Sequence, residues 1–268
     1  MRWDRMWAVT MKDLRETFST AQLVGPLVVV PLVIVIGYPI AFLEALRTTP
    51  GAVDGLSGFI GGFAASALPA GLTSAGRAAY IAVVYLFAGF FLLIPVMFST
   101  VIAANSFAGE KERRTLEGLL YTPVSDSELV VGKIVASFLP TIVFTWMCYA
   151  IYVGIVVWLG NPIVGSAFFP TGNWWALMLL LVPAVSLLVI SIVVMVSTKA
   201  RGFQEANAIG GSVILPVIGL AAAQTSGLMV LSADVIAWTA AGFAVADLVL
   251  LYLIVLAFRR SRVVSYLP

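Results

Sequence analysis

LVGPLVVVPLVIVIGYPIAFLEAL, residues 23–46, decides the fold. The stretch holds one charged side chain, Glu44, near its far end. Wound as a helix at about 1.5 Å per residue, it is long enough to cross a hydrocarbon core of about 30 Å. A cleaved secretory signal carries an apolar run of only about 7–15 residues, so this segment is expected to stay in the mature chain. Working outward, further apolar windows lie near 79–107, 129–159, 175–198, 206–226 and 235–258. Of the 268 residues 61% are hydrophobic and 10% charged, and the mean hydropathy is +1.06. These values exclude an ordinary water-soluble domain. The expectation is an all-α membrane protein, with residues 1–268 forming a single transmembrane domain of six helices.

Charge placement supports six crossings. Lysine and arginine favour the cytoplasmic ends of spans, so a correct topology sorts them onto alternate connections. With the N-terminus inside, the inner side holds Arg2, Arg5, Lys12, Arg15, Lys111, Arg113, Arg114, Lys133, Lys199, Arg201, Arg259, Arg260 and Arg262. Only Arg47 and Arg77 fall outside, and both termini are expected in the cytoplasm. Trp158, Trp174, Trp175 and Trp238 are all placed near the outer boundary, where an amphipathic indole is favoured.

Residue types also exclude chemistry. The chain has no histidine, which removes histidine acid–base catalysis, zincin motifs and haem ligation. Its one cysteine, Cys148, excludes an intrachain disulfide. The methionines are scattered over several spans and read as packing residues rather than soft metal ligands. No catalytic residue, metal site or cofactor is expected on this chain.

Residues 1–20 place Trp3, Trp7, Met11, Leu14 and Phe18 at helical spacing between charges, the pattern of an amphipathic helix at the inner surface. The outer connection from Arg47 to Arg77 is glycine- and alanine-rich and almost uncharged, consistent with a short helix against the outer leaflet or with a passive lid. Prolines at 26, 31, 39, 95, 140, 183 and 216 are expected to bend the spans that contain them. Gly210, Gly211 and the run Ala221 to Ala223 are small enough for the fifth span to pack closely on another helix, one candidate being a helix of a second subunit.

Between the second and third windows stands FAGEKERRTLEGLLYTPVSDSELVVGK, residues 107–133. As a helix over 109–121 it pairs Glu110 with Arg114 and Arg113 with Glu117 at i, i+4, each pair worth about 0.2–0.5 kcal/mol. Leu116, Leu119 and Leu120 form an apolar edge, Pro123 ends the helix, and Ser125 with Glu128 reads as a capping box opening the third span. A turn serving only to orient the chain needs two or three basic residues and no acidic ones. Here Glu110, Glu112 and Glu117 interleave with Lys111, Arg113 and Arg114, a two-sign surface that suits a protein partner better than anionic lipid.

This segment resembles the signature of type-2 ATP-binding-cassette (ABC) exporter permeases, on GEKE, the threonine, the glutamate, the leucine pair, the proline and the Gly132-Lys133 pair. Outside it, the basic-acidic MKDLRE segment, the six spans and the short tails agree in outline. The resemblance implies a coupling helix seated in a cytoplasmic ATPase subunit, with Glu110, Lys111, Glu112, Arg113, Arg114, Thr115 and Glu117 as docking residues. It implies that Gly132 and Lys133 begin the third span, that two permeases, identical or paralogous, assemble with two ATPases, and that substrate passes along the first, second and fifth spans. ATP and magnesium then belong to the partner. A phosphate-binding loop needs G-x-x-x-x-G-K-[ST], and Gly132-Lys133 is followed by Ile134.

Polar residues within the spans leave a second reading open. Asp247 stands mid-way along the sixth window, where a charge costs about 2.5–3.5 kcal/mol on insertion scales. It lines a cation pathway or senses protons in an ion-coupled secondary transporter or channel, or it faces other helices as a protonated or internally hydrogen-bonded aspartate. Glu44 is an outer-gate candidate. Asn105, Gln204, Glu205 and Asn207 lie near the inner ends of spans two and five, as pathway or gating contacts or as helix caps. Apolar spans fit lipids, lipid-linked glycans or hydrophobic drugs, and every membrane permease needs apolar outer faces, so substrate is not legible.

Overall fold

The computed structural model describes residues 3–19, 21–49, 51–54, 68–113, 126–200, 202–216, 218–219 and 232–257. Every regular element among them is helical. Helix α1 is Trp3–Ser19, and α2 occupies 21–48. Helix α3 runs from Ser74 to Glu112 with one break at Leu92, and α4 covers 126–164. Helix α5 is Gly172–Ser197, α6 is Phe203–Gly211 and α7 is Ala233–Ala257. Five of these, α2, α3, α4, α5 and α7, are long and apolar enough to cross a membrane. The window at 206–226 is described only in part, as α6 and the short stretch after it. The outer-leaflet helix expected within 47–77 falls largely on residues 55–67, outside the described residues.

The helix ends follow local rules. Helix α3 starts after Thr73, whose Oγ1 accepts from the Gly76 amide at 3.0 Å and so pairs one of the first-turn N–H groups. Helix α4 stops at Gly165, in the left-handed region at φ +82°, where a residue without Cβ is at ease. Helix α4 begins at Asp126, beside the expected capping box, but Ser125 lies outside the described residues.

Pro26, Pro31 and Pro140 lie inside regular α-helix, whereas other prolines coincide with irregular turns, where the missing N–H frees the carbonyl four residues earlier. Those carbonyls belong to Val35, Phe91 and Leu179 for Pro39, Pro95 and Pro183. Val35 and Leu179 sit inside wide π-type turns, Val33–Gly37 and Leu177–Leu181, and Phe91 immediately precedes the break at Leu92. Further wide turns occur at Ala82–Leu86, Asn105–Gly109 and Val156–Gly160. In the first of these, Tyr152 Oη donates to the Val83 carbonyl at 2.9 Å and Trp174 Nε1 donates to the Val84 carbonyl at 3.2 Å. Two aromatic side chains thus satisfy groups that a regular helix would have paired internally.

Helix α3 is the central helix. Its most apolar stretch is 78% buried, against 56% for α5, 33% for α4, 28% for α2 and 17% for α7. Around its N-terminal half Trp174 stacks on Tyr152 at 4.9 Å and on Tyr149 at 5.7 Å, with Phe91 and Phe169 edge-on. Of the four tryptophans expected at the outer boundary, Trp174 has a fully buried indole, while Trp158, Trp175 and Trp238 are exposed. Helix α1 likewise has a second face. Trp7, on the expected apolar stripe, is exposed, whereas Met6, Val9, Thr10 and Asp13 are buried, and α1 packs lengthwise on α4.

The glycine pair on α6 divides. A Cβ at Gly210 would lie 2.4 Å from Val193 Cγ2 and 2.9 Å from Thr100 Cγ2, so this glycine lets α6 press on α5 and α3. The helices it meets belong to the same chain. Gly211 faces open space.

Candidate functional site

The charged segment meets the rest of the protein at the C-terminal end of α3. The wide turn Asn105–Gly109 delivers the chain into one further helical turn, Glu110–Glu112, which ends at Arg113. The helix expected over 109–121 is described only through this turn; Arg114, Thr115 and Glu117, and with them both expected i, i+4 pairs, lie outside the described residues.

Each of the four residues from Glu110 to Arg113 bonds to a different place. Glu110 Oε2 accepts from Lys133 Nζ on α4 at 2.6 Å, and its Oε1 accepts from Lys12 Nζ on α1. Lys111 Nζ donates to the carbonyls of Thr198 and Ala200 at 3.1 and 3.0 Å, capping the C-terminal end of α5 where a cation is favoured. Glu112 Oε2 accepts from the Phe203 amide at 2.9 Å, so a carboxylate meets the first turn of α6. Arg113 Nη2 donates to Asn105 Oδ1 at 2.6 Å, and its Nε donates to the Gly109 carbonyl at 3.2 Å, closing the turn on itself.

Beneath this turn lies an ion cluster of alternating sign. Lys133, with no exposed side-chain surface, donates to Ser106 O at 2.6 Å and Asp13 Oδ2 at 3.1 Å as well as to Glu110. Ser106 Oγ donates to Asp13 Oδ2 at 2.6 Å, and Lys12 Nζ reaches Asp13 Oδ1 at 3.4 Å. The Phe107 ring faces the ammonium at 5.4 Å. Among the described residues, the carboxylates of Asp13 and Glu110 balance the ammoniums of Lys133 and Lys12, so these four groups together carry no net charge. That balance is what makes it tolerable to bury.

The glycines around the cluster hold space for it. A Cβ on Gly132 would lie 3.0 Å from the Met6 carbonyl and 3.2 Å from Val9 Cβ, and Thr10 Oγ1 donates to the Gly132 carbonyl at 3.0 Å. The Gly132-Lys133 pair therefore admits the backbone of α1 with one residue and its aspartate with the next. A Cβ on Gly202 would lie 2.5 Å from Glu112 Oε2, and one on Gly109 would lie 3.0 Å from Arg113 Nη2.

The expected docking set is thus split. Glu110 has a buried side chain turned into the protein, while Lys111, Glu112 and Arg113 are exposed residues engaged with their own chain. The pathway candidates are not brought together at one place. Asn105 is buried and holds Arg113, and Gln204 and Glu205 are exposed on the first turn of α6. Asn207 keeps a buried Oδ1 without a hydrogen-bond partner. Asp247 is buried on α7, with neither carboxylate oxygen hydrogen-bonded among the described residues. Glu44 accepts from Arg47 at 3.1 Å at the other end of the molecule.

Asp13, Ser106 and the internal role of Lys133 escape a reading by topology alone. The signal was present: a lysine inside ELVVGKIVASF, an apolar run, requires a buried partner, and counting it as one more inner positive charge hid that requirement.

A family model described as ABC-2 family transporter protein matches residues 7–255, from α1 into α7. No curated protein matches the chain. The match takes in most of α1, the whole ion cluster and, but for the last residues of α7, all five helices long and apolar enough to cross a membrane. The chain belongs to the ABC-2 family of transporter proteins.

Proposed function

We propose that this ABC transporter membrane subunit is an exporter permease of the cytoplasmic membrane, driven by a separate ATPase that docks on residues 109–121. The observation that supports this most is the turn Glu110 to Arg113, which bonds α1, α4, the end of α5 and the start of α6 to the end of α3. A partner pressing on that turn acts on the inner ends of spans two to five at once. ATP and magnesium are bound by the partner, both termini are cytoplasmic, and two permease copies or paralogues enclose the passage. With α3 enclosed within the chain, the first and fifth spans are the better candidates to line it; their exposed apolar residues include Val29, Val33, Ile209 and Leu215. Glu205 and Asn207 then flank the inner entrance.

Because Glu110 is committed internally, the docking test belongs further along. Reversing Arg114 and Glu117 together (Arg114→Glu, Glu117→Lys) is expected to reduce capture of the ATPase by the purified permease about tenfold, the loss of roughly 1.4 kcal/mol of interface energy, with the yield of folded permease unchanged. Undiminished capture would remove these residues from the interface. One observation favours an ion-coupled reading instead, the buried Asp247 without a hydrogen-bond partner.

A further inference from the structure

Helix α1 holds more than an anchor on the inner surface requires. Its outward side already offers Trp7 and Arg15, both exposed, and its packing on α4 is supplied by Met6, Val9 and Thr10. Yet it also buries an aspartate. A hydrophobic residue of similar volume would stabilise such a face as well or better, so the ion cluster is poorly explained as a contribution to stability.

The bonds made by Lys12 and Asp13 have a specific arrangement. Lys12 reaches Glu110, and Asp13 accepts from Ser106, both on the α3 side of the charged segment. Asp13 also pairs with Lys133, on the α4 side. Two adjacent residues of α1 therefore grip the chain immediately before and after the segment that connects spans two and three. Side-chain exposures of 3% for Asp13, 2% for Glu110 and 0% for Lys133 leave these contacts little screened by solvent.

We propose that α1 is a transmission element, with Lys12 and Asp13 as positioning residues that make α1, the inner end of α3 and the inner end of α4 move as one unit. A displacement of the charged turn then carries α1 with it, and the motion spreads from the docking turn across the inner face of the membrane. This rests on the reading of that turn as the point where an ATPase acts.

The test uses the full permease with the ATPase proposed as its partner, co-purified into lipid vesicles, with Cys148→Ser as background. Spin labels are placed at exposed positions, Arg15→Cys on α1 or Lys199→Cys at the end of α5, each paired with Trp238→Cys at the outer end of α7. Distances are measured without nucleotide and after trapping with ATP and vanadate. In the otherwise unaltered protein both distances are expected to shift on trapping. In Asp13→Asn, and separately in Lys12→Gln, the Arg15 shift is expected to shrink about twofold or more while the Lys199 shift persists, within the range that network mutations change coupling. Lys12 is half-exposed, so its variant keeps the test open should Asp13→Asn fail to fold. An Arg15 distance that never shifts while Lys199 does, or that shifts undiminished in both variants, overturns the proposal alone. No shift at either position overturns the ATPase reading and the proposal with it.

Discussion

Replacing Lys133 by methionine is expected to remove most of the folded protein from the membrane. The substitution keeps the length and apolar stem of the side chain and deletes only the ammonium. What remains is two carboxylates, Asp13 and Glu110, with side-chain exposures of 3% and 2%, facing the space where Nζ stood. Lys12 still reaches both, but from the half-exposed side. Breaking a buried pair by removing one partner costs about 3–5 kcal/mol, a large part of the stability of a typical domain. The check is the yield of monodisperse protein in detergent and its unfolding temperature. Adding Asp13→Asn and Glu110→Gln to Lys133→Met removes the uncompensated charges and is expected to recover much of the loss. If Lys133→Met alone is as stable as the parent, the cluster does not hold the helix ends together.

The second large effect is expected at Gly210. Gly210→Ala places a Cβ 2.4 Å from Val193 Cγ2 and 2.9 Å from Thr100 Cγ2, inside the contact distance of two neighbouring helices at once. Val193 and Thr100 are themselves buried, so neither side chain moves freely aside. Overpacking of this kind costs about 1–3 kcal/mol. Gly211→Ala, one residue along the same helix, enters open space and is expected to change stability by less than about 0.5 kcal/mol. Thermal unfolding of the two variants side by side separates them: equal effects would show that α6 does not press on α5 and α3 at Gly210.

The two glycines also show where sequence reading stops. A Gly-Gly pair in an apolar window announces close packing, but which member is in contact depends on how the helix is rotated, and the apolar residues around it give no preferred face. The same limit applies to tryptophan. Trp158, Trp174, Trp175 and Trp238 share one depth by the expected topology, yet Trp174 is buried among aromatic rings, its indole donating to the Val84 carbonyl in the wide turn Ala82–Leu86. That turn has no signature in its own residues, Ala-Val-Val-Tyr-Leu.

Membrane class, helical content and the presence of a charged junction were legible because hydropathy and charge are properties of single residues summed along the chain. The architecture of the junction was not. Reading Glu110 to Glu117 as one surface treats every charge as outward-facing. The wide turn Asn105–Gly109 instead brings Glu110 round onto Lys133 and Lys12, while Lys111 and Glu112 reach the helix ends on either side of Gly202. Such pairings join residues up to 120 positions apart, as between Asp13 and Lys133, and follow only from the packing of α1 on α4.

The most direct measurement is capture of the proposed partner ATPase by the purified, tagged permease in lipid, compared with permease carrying the Arg114→Glu and Glu117→Lys reversals, with ATP hydrolysis followed in the complex. A stable complex is expected, with hydrolysis responsive to the permease and both lost in the reversed variant. Transport that proceeds with no ATPase present, and that ends on Asp247→Asn, would contradict the assignment of the charged turn as the point where energy enters.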